Sequence, residues 1–596
     1  MALKVPFSTN GAEHSSASSR KTIGFSTKDE KAAFWHSTAH VLADAVKRIF
    51  PDVKLGIGPS IDEGFYYDFD KREPFTPEDL EKIEQQMKKI IESNVKFEDV
   101  KMSRPDAKKF LSKEPLKLEL LEEIKDKEVS FHRHGKFTDL CVKPVIQSTG
   151  QIGAVKLLNV AAAYWRGDQK RQSLQRIYGI SFPNRKDLEE WLKIKEEAEK
   201  RDHRKLGPQL DLFTLHEIAP AMPFFHPKGT VIYNGLIDFR RELDKKYGFV
   251  EIRTPNLASV ELYKTSGHWS HYKELMFPVK TKDEEMAFRA MGCPFAQIVY
   301  KTRSRSYKEL PLRLAEFDTL GRNEYGGAWH GLMRVRQLMQ DDAHVFVSED
   351  QIESEVSQLL KLTDDVYKVF GLSYRAMLST RDPDNFMGDV HLWNKAEDIM
   401  RHILKKSKVE WVEAPKEGAF YGPKIDIMVK DSLGREWQLA TIQLDFQQPI
   451  RFNLKYTGAD NALHTPIIIH RVILGSLERF MGILIEHYAG AFPVWLAPVQ
   501  VKLLNFTDRN MDYAKKVEQK LKDAGLRIET DYENNTVDKK VRQAELEKCP
   551  YALVVGDKEE EKGTVAVRKR GTGKVQFGVK TDDFIKQIKE EIEEKK

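Results

Sequence analysis

Between residues 31 and 49 apolar side chains recur every three to four positions. Phe34, Val41, Leu42, Ala45 and Ile49 therefore fall near one face of a predicted helix. Residues 1–30 precede it as a flexible polar tail rich in Ser and Lys (SSASSRK at 15–21), too poor in apolar groups to pack. A mixed helix-and-strand region continues to residue 183. NRKDLEEWLKIKEEAEKRDHRK (184–205) then joins strong helix formers with few breakers, which predicts an exposed linker helix between two domains. From 207 to 492 the runs AFYGPKIDIMVK and ALHTPIIIH read as strands, long enough for antiparallel pairing. After PVWLAP (493–498) strands and helices alternate: VQVKLLNF, a helix over 511–524, RIET, a helix over 538–548, YALVVG, TVAVRKR and a charged final helix. The pattern divides the chain into a tail (1–30), an N-terminal α+β domain (31–183), a linker helix (184–206), a large α+β domain (207–492) and a small α/β domain (493–596).

A length of 596 residues is more than one hydrophobic core can serve, in keeping with a multidomain chain. Net charge is +5, from 96 basic and 91 acidic residues, which excludes a general polyanion coat and leaves room for local basic faces that hold RNA. Cys141, Cys293 and Cys549 lie far apart, so they form no disulfide framework and suit a reducing compartment. No apolar run approaches the ~20 residues of a membrane span, and the first residues lack a secretory apolar core. The expected location is the cytoplasm, with no membrane partner.

The chain has neither a Gly-rich Walker loop nor a Rossmann fingerprint, so any nucleotide phosphates must be held another way. Spaced arginines are the candidates. Residues 314–346 read as strand, loop, strand with Arg322 at the loop entrance, and GSLERF (475–480) puts Arg479 in an apolar helix. A buried guanidinium is costly without an anion, and phosphate is its best partner. Each segment alone is equally well read as a structural salt bridge.

Together the segments resemble a family. GRNEYGGAWHGLMRVRQLMQDDAHVF is similar to motif 2 of class II aminoacyl-tRNA synthetases, IIIHRVILGSLERF to motif 3, and YGFVEIRTPNL (247–257) to motif 1. ELYKTSGHWSHYKELMF, AFYGPKIDI and WQLATIQLDF resemble the threonyl-tRNA synthetase forms. The resemblance spans residues 31–596 and implies a multidomain α+β protein: a class II antiparallel sheet with flanking helices, an N-terminal α+β editing domain and a C-terminal α/β anticodon-binding domain. It implies that Arg322 holds the α-phosphate of ATP, Arg334 acts toward the γ-phosphate and Arg479 completes the clamp, with Mg²⁺ sharing the charge. The implied partners are ATP, L-threonine, tRNA(Thr) and, through motif 1, a second copy in a homodimer.

Spacing does not mark Cys293, His344 and His470 as a metal site; the resemblance does, as ligands of one zinc per chain. Three ligands leave a coordination position open. An apolar pocket separates threonine poorly from isosteric valine, whereas a metal that needs a hydroxyl rejects valine. Gln340 and Asp342 match substrate-contact positions, Tyr421 and Lys424 would line the pocket, and Gln443 would face it. The chain departs from the family at MGCPFA, where MNCPGH is usual, and at Leu439 and Ala440 in place of Cys and Gly.

Zinc cannot exclude serine, which also has an amino group and a hydroxyl, so a second, hydrolytic site is expected. His36 and His40, at i and i+4, face the same way. With Asp139 and Cys141 of FTDLCVKP they match the family's editing set, except that Val145 stands where a histidine is usual. The implied editing of seryl-tRNA(Thr) is weakened accordingly. The family's small N-terminal domain is expected to be absent before residue 31. In the C-terminal domain Arg568, Lys569 and Arg570 are cations for RNA phosphates or a guanine edge. Two other readings compete: another class II enzyme such as a prolyl or seryl synthetase, against which the intact Cys293/His344/His470 set and the editing-type domain argue, and an inactive paralogue that binds RNA, against which the presence of Arg322 and Arg479 argues.

Overall fold

The structure, a computed structural model, describes Phe25 and residues 27–141, 143–168 and 170–596. Most of the expected tail lies outside the described residues. The first helix, Lys28–Ile49, starts three residues before the predicted Lys31, because the Thr27 side chain accepts from Glu30 N and caps it. The described residues form two compact units that divide within the helix Arg185–Arg201, after Glu197.

In the N-terminal unit, residues 34–46 of the first helix are buried without a break. Of the predicted apolar face, Phe34, Val41, Leu42 and Ala45 enter the core while Ile49 is only half-buried, and the remaining sides of 34–46 are covered as well. Strands Lys54–Leu55, Gly64–Asp70, Ser173–Phe182 and Ala154–Tyr164 pair in that order, with Ser60–Ile61 added beside Gly64–Asp70. The helix Pro77–Glu92 also packs on the first helix, so its middle stretch has no face open to solvent. A separate sheet joins Phe97–Ser103, Glu128–His134 and Phe137–Leu140.

The C-terminal unit is built on an eight-stranded sheet. Its order is Val250–Glu251, Leu312–Gly321, Gln337–Val347, Ile467–Ser476, Glu436–Asp445, Lys424–Lys430, Ser373–Ser379 and Trp411–Ala414. Pairing is antiparallel except at the two edges. The period-2 alternation of a strand sorts chemistry from core. Along Gln337–Val347, Ala343, Val345 and Val347 enter the main core with Leu477, Phe480 and the helix Ile352–Phe370, while Gln340, Asp342 and His344 point the other way. Opposite Asp341 the neighbouring strand bulges. The Asp341 carboxylate accepts the freed amides of Ile473 and Leu474 and is itself held by Arg240 at 3.0 Å.

Residues 501–593 fold as a five-stranded sheet with helices, order Ile528–Asp531, Val501–Asn505, Tyr551–Val555, Thr564–Lys569, Val575–Lys580. The pattern predicts its alternation but misses the short helix Asp557–Lys562 and the last strand. Gly571 and Gly573, with φ of 77° and 62°, turn that strand back as a hairpin, a left-handed geometry that glycine tolerates.

Candidate active site

Four strands set one row of side chains across the sheet. Lys424 pairs in register with Gln443, Gln443 with His470, and His470 with His344. Cys293, the first residue of the helix Cys293–Lys301, comes to this row from above. The ligand atoms of Cys293, His344 and His470 all lie within 4.8 Å of one another and all three residues are buried. His470 Nε2 is 3.0 Å from Asp445 Oδ2. The tautomer this favours carries its hydrogen on Nε2 and leaves the Nδ1 electron pair for a metal, a carboxylate–histidine arrangement common behind metal ligands. Burial, and then His470, hold the His344 imidazole well below its ordinary pKa, so it is neutral and able to bind a metal. Burial pushes the Cys293 thiol well up; a bound cation would reverse that preference. A soft thiolate with two imidazoles suits zinc.

Around this row stand the other expected residues. Tyr421 is buried, its ring centroid 5.3 Å from that of His470. Gln443 donates to Gly422 O at 3.3 Å. The Lys424 ammonium is held by Asp426 at 2.6 Å, and Ser379, Gln438 and Thr441 also donate to that carboxylate. Gln340 and Asp342 precede His344 along the strand on the same face. The departures Leu439 and Ala440 lie in the main core, away from the row.

The three arginines converge at the end of the site. Arg479 donates to Met333 O at 2.8 Å, and Arg334 is paired with Glu324 at 2.8 Å. Arg322 makes long contacts with Ala290 O at 3.4 Å and Met291 Sδ at 3.6 Å, and lies over Tyr272, 5.9 Å from the ring centroid. Burial first, and then the nearby charges of Arg322 and Arg334, lower the pKa of Arg479. Three guanidinium groups with Glu324 as the carboxylate among them form a cationic focus that an anion relieves.

In the N-terminal unit His36, His40 and Cys141 also meet within 4.8 Å. His36 Nδ1 binds Gly58 O at 2.9 Å; its Nε2 faces Cys141 Sγ at 2.8 Å and His40 Nε2 at 3.2 Å. Burial, and then His40, bring His36 down to about 3, so the pair is neutral near pH 7. Asp139 is the hub beneath them. It accepts Tyr67 Oη and Lys117 Nζ, each at 2.6 Å, and lies 3.4 Å from His40 Nδ1. Burial opposes its ionisation, but Lys117 and His40 outweigh burial and hold its carboxyl below the usual range.

The basic run 568–570 is not one patch. Arg570 donates to the carbonyls of Ala491 and Phe492, at 2.9 and 2.7 Å, and to Lys548 O. Lys569 is exposed and pairs with Glu591 at 3.0 Å, while the Nε of Arg568 is buried without a hydrogen-bond partner among the described residues.

Sequence reasoning missed Tyr67 and Lys117 behind Asp139, and His268, whose Nε2 lies 3.7 Å from Cys293 Sγ. Burial, with His470 second, brings His268 down to about 3. The signal for His268 was its place in the quoted SGHWSHY segment; Tyr67 and Lys117 had none. A third cluster, Asp202, His203 and Glu486, is no metal site. His203 Nδ1 meets Glu486 at 2.6 Å and its Nε2 accepts from Leu332 N, so both nitrogens are spent.

Comparison with known proteins agrees with this geometry. Residues 276–488 match the tRNA synthetase class II core domain (G, H, P, S and T), residues 494–591 the anticodon binding domain, and residues 129–178 the threonyl and alanyl tRNA synthetase second additional domain. The threonine–tRNA ligase of Caldanaerobacter subterraneus subsp. tengcongensis is 50% identical over 573 residues, covering 96% of this chain and 89% of that one. The threonine–tRNA ligase of Carboxydothermus hydrogenoformans is 50% identical over 576 residues, covering 96% and 90%. A crystal structure titled as the RNA binding domain of threonyl-tRNA synthetase from Cryptosporidium parvum superposes with a TM-score of 0.64 at 40% identity, over 65% of this chain and 98% of that one. No described helix is long and apolar enough to cross a membrane. A paired Cys/His row, a cationic focus beside it and this extent of identity lead to one conclusion: the chain belongs to the threonine–tRNA ligase family of class II aminoacyl-tRNA synthetases.

Proposed function

We propose that the chain activates L-threonine with ATP and Mg²⁺, transfers it to tRNA(Thr), and selects threonine through one zinc held by Cys293, His344 and His470. The observation that supports this reading is the meeting of two chemistries on one sheet face. Cys293, His344 and His470 converge, the two histidines in register with Gln443 and Lys424, and the arginine focus lies nearby. Zinc, when bound, supplies Lewis-acid coordination of an amino group and a hydroxyl, which valine cannot satisfy. The chain's own residues do the rest. Arg322, Arg334 and Arg479 neutralise charge as the α-phosphate is attacked and pyrophosphate leaves. Tyr421, Gln443, Gln340 and Asp342 orient the amino acid; Lys424 is fixed by Asp426 at the pocket edge.

In the same reading His36, His40, Asp139 and Cys141 position a water that strips serine from tRNA(Thr), and Val145 leaves that set one polar group short. The anticodon-binding domain grips tRNA with Lys569 rather than Arg570, whose guanidinium is occupied by three carbonyls. The proposed domain limits are 31–183, 184–206, 207–492 and 493–596. Exposed Val250, within motif 1, and exposed Leu215, Ile218 and Phe224 suit a homodimer interface.

ATP–pyrophosphate exchange tests the activation step. Threonine and serine should drive exchange, and valine should not. Exchange with valine as fast as with threonine would remove the metal from selection; no exchange with threonine would sink the whole reading.

A further inference from the structure

Gly292 precedes Cys293, and its φ of −83° is open to any residue. Space, not backbone, demands the glycine. A Cβ there would stand 2.3 Å from Asp318 Oδ2 and 2.6 Å from Asp342 Oδ2. Two carboxylates thus crowd the point from which a side chain at 292 would grow. The asparagine of the family segment MNCPGH cannot be seated while Asp318 stands.

Asp318 lies on the strand Leu312–Gly321 and is 2% exposed. Its Oδ2 is held by Arg289, Nη2 at 2.8 Å and Nε at 3.2 Å. Its Oδ1 is buried with no hydrogen-bond partner among the described residues. Arg289, fully buried, also binds Glu316 at 2.9 Å. Glu316, Asp318 and Asp342 therefore crowd about Arg289, with Arg322 and Arg471 the other cations near Asp318 and Asp342, and a buried carboxylate oxygen left without a hydrogen bond is costly unless a donor or cation meets it. Asp342 is on the site face, 3.8 Å from His344. In the function proposed above the amino acid is brought to this place, and its α-amino group supplies N–H donors.

We propose that Asp318 is a substrate-binding residue of the amino-acid site: its carboxylate fills the volume vacated at Gly292, and its Oδ1 accepts a hydrogen bond from the α-amino group. The inference rests on the placement of threonine beside Cys293 in the function proposed above. Gly292 and Asp318 then form a matched pair, and neither tolerates a change independently of the other.

The test uses the full-length, zinc-loaded enzyme. Asp318→Asn keeps the shape and removes the charge; Asp318→Ala removes both. Each is assayed for pyrophosphate exchange against threonine and against ATP, for zinc content, and for binding of a non-hydrolysable threonyl-adenylate analogue by calorimetry. Asp318→Asn should raise the KM for threonine and the analogue Kd about 10-fold or more, the loss expected when a buried charge-assisted hydrogen bond is removed. The KM for ATP and the zinc content should stay within twofold. Gly292→Asn alone should lose exchange, and adding Asp318→Ala to it should restore at least a tenfold gain, the coupling expected of residues in contact. Unchanged threonine KM and analogue Kd in Asp318→Asn would overturn the proposal. So would equal rises for threonine and ATP, the mark of a structural role, or a Gly292→Asn defect indifferent to residue 318. If Asp318→Ala does not fold, Asp318→Asn and the Gly292→Asn/Asp318→Asn double variant, which should stay inactive, carry the test. A wild type that activates no threonine overturns the functional reading itself and is seen before any variant is compared.

Discussion

His203 Nε2 accepts the backbone N–H of Leu332 at 3.0 Å, tying the helix His203–Gln209 to the loop that carries Arg322 and Arg334. The imidazole is fully buried, and its Nδ1 meets Glu486 at 2.6 Å. One residue on, Met333 O accepts from Arg479. His203 thus positions the arginine loop without touching substrate. His203→Ala should raise the KM for ATP more than that for threonine, and lower stability by about 1–3 kcal/mol through the buried partners left unsatisfied. An unaltered KM for ATP with the stability loss intact would leave His203 a structural residue only.

Cys293→Ser should lower both zinc content and threonine activation, because a hydroxyl is a poor substitute for a thiolate ligand. Metal analysis beside exchange assays reads both. Full zinc occupancy with normal activation would remove Cys293 from the site.

Arg322→Ala and Arg479→Ala should each cut adenylate formation ~10²-fold or more, the effect of losing one preorganised charge-stabilising group. Neither should lower stability comparably. Removing Arg479 also relieves repulsion with Arg322 and Arg334, so its variant is expected to melt no more than a few degrees below the wild type. Near-normal exchange in either variant contradicts the clamp.

Glu478 receives Met339 N and the Tyr233 hydroxyl, and burial pushes its carboxyl up to about 7 from 4.5. Between those values the folded chain keeps a proton that the unfolded chain has released. This group's contribution therefore favours folding at acid pH and declines as pH rises from about 4.5 to about 7. Glu478→Gln should be more stable relative to wild type at pH 7.5 than at pH 5, by on the order of 1–3 kcal/mol. Thermal melts at the two pH values compare them, and an identical difference at both would discard the effect.

Supplied with seryl-tRNA(Thr), the wild type should deacylate it slowly, Val145→His faster, and the His36→Ala/His40→Ala variant not at all. Both imidazoles are neutral near pH 7 through burial, so each can orient a water or take a proton. Equal inactivity of wild type and double alanine would mean that this unit does not edit.

Much of this was legible in the chain. Alternation along QDDAHVF put Gln340, Asp342 and His344 on one face, and the i, i+4 spacing put His36 beside His40, because those relations follow from local geometry alone. Helix starts and hairpins were partly missed where a single cap or turn decides them, as at Thr27 and at Gly571 and Gly573. What tertiary structure decided were relations between residues distant in sequence. Strand order set His344 against His470, and only packing revealed Lys117 and Tyr67 behind Asp139, the Asp318 oxygen above Gly292, and Arg570 turned inward onto Ala491 and Phe492. A side chain's type states which bonds it can make; which partner it meets depends on strand order and burial, and those emerge only once the whole chain has packed.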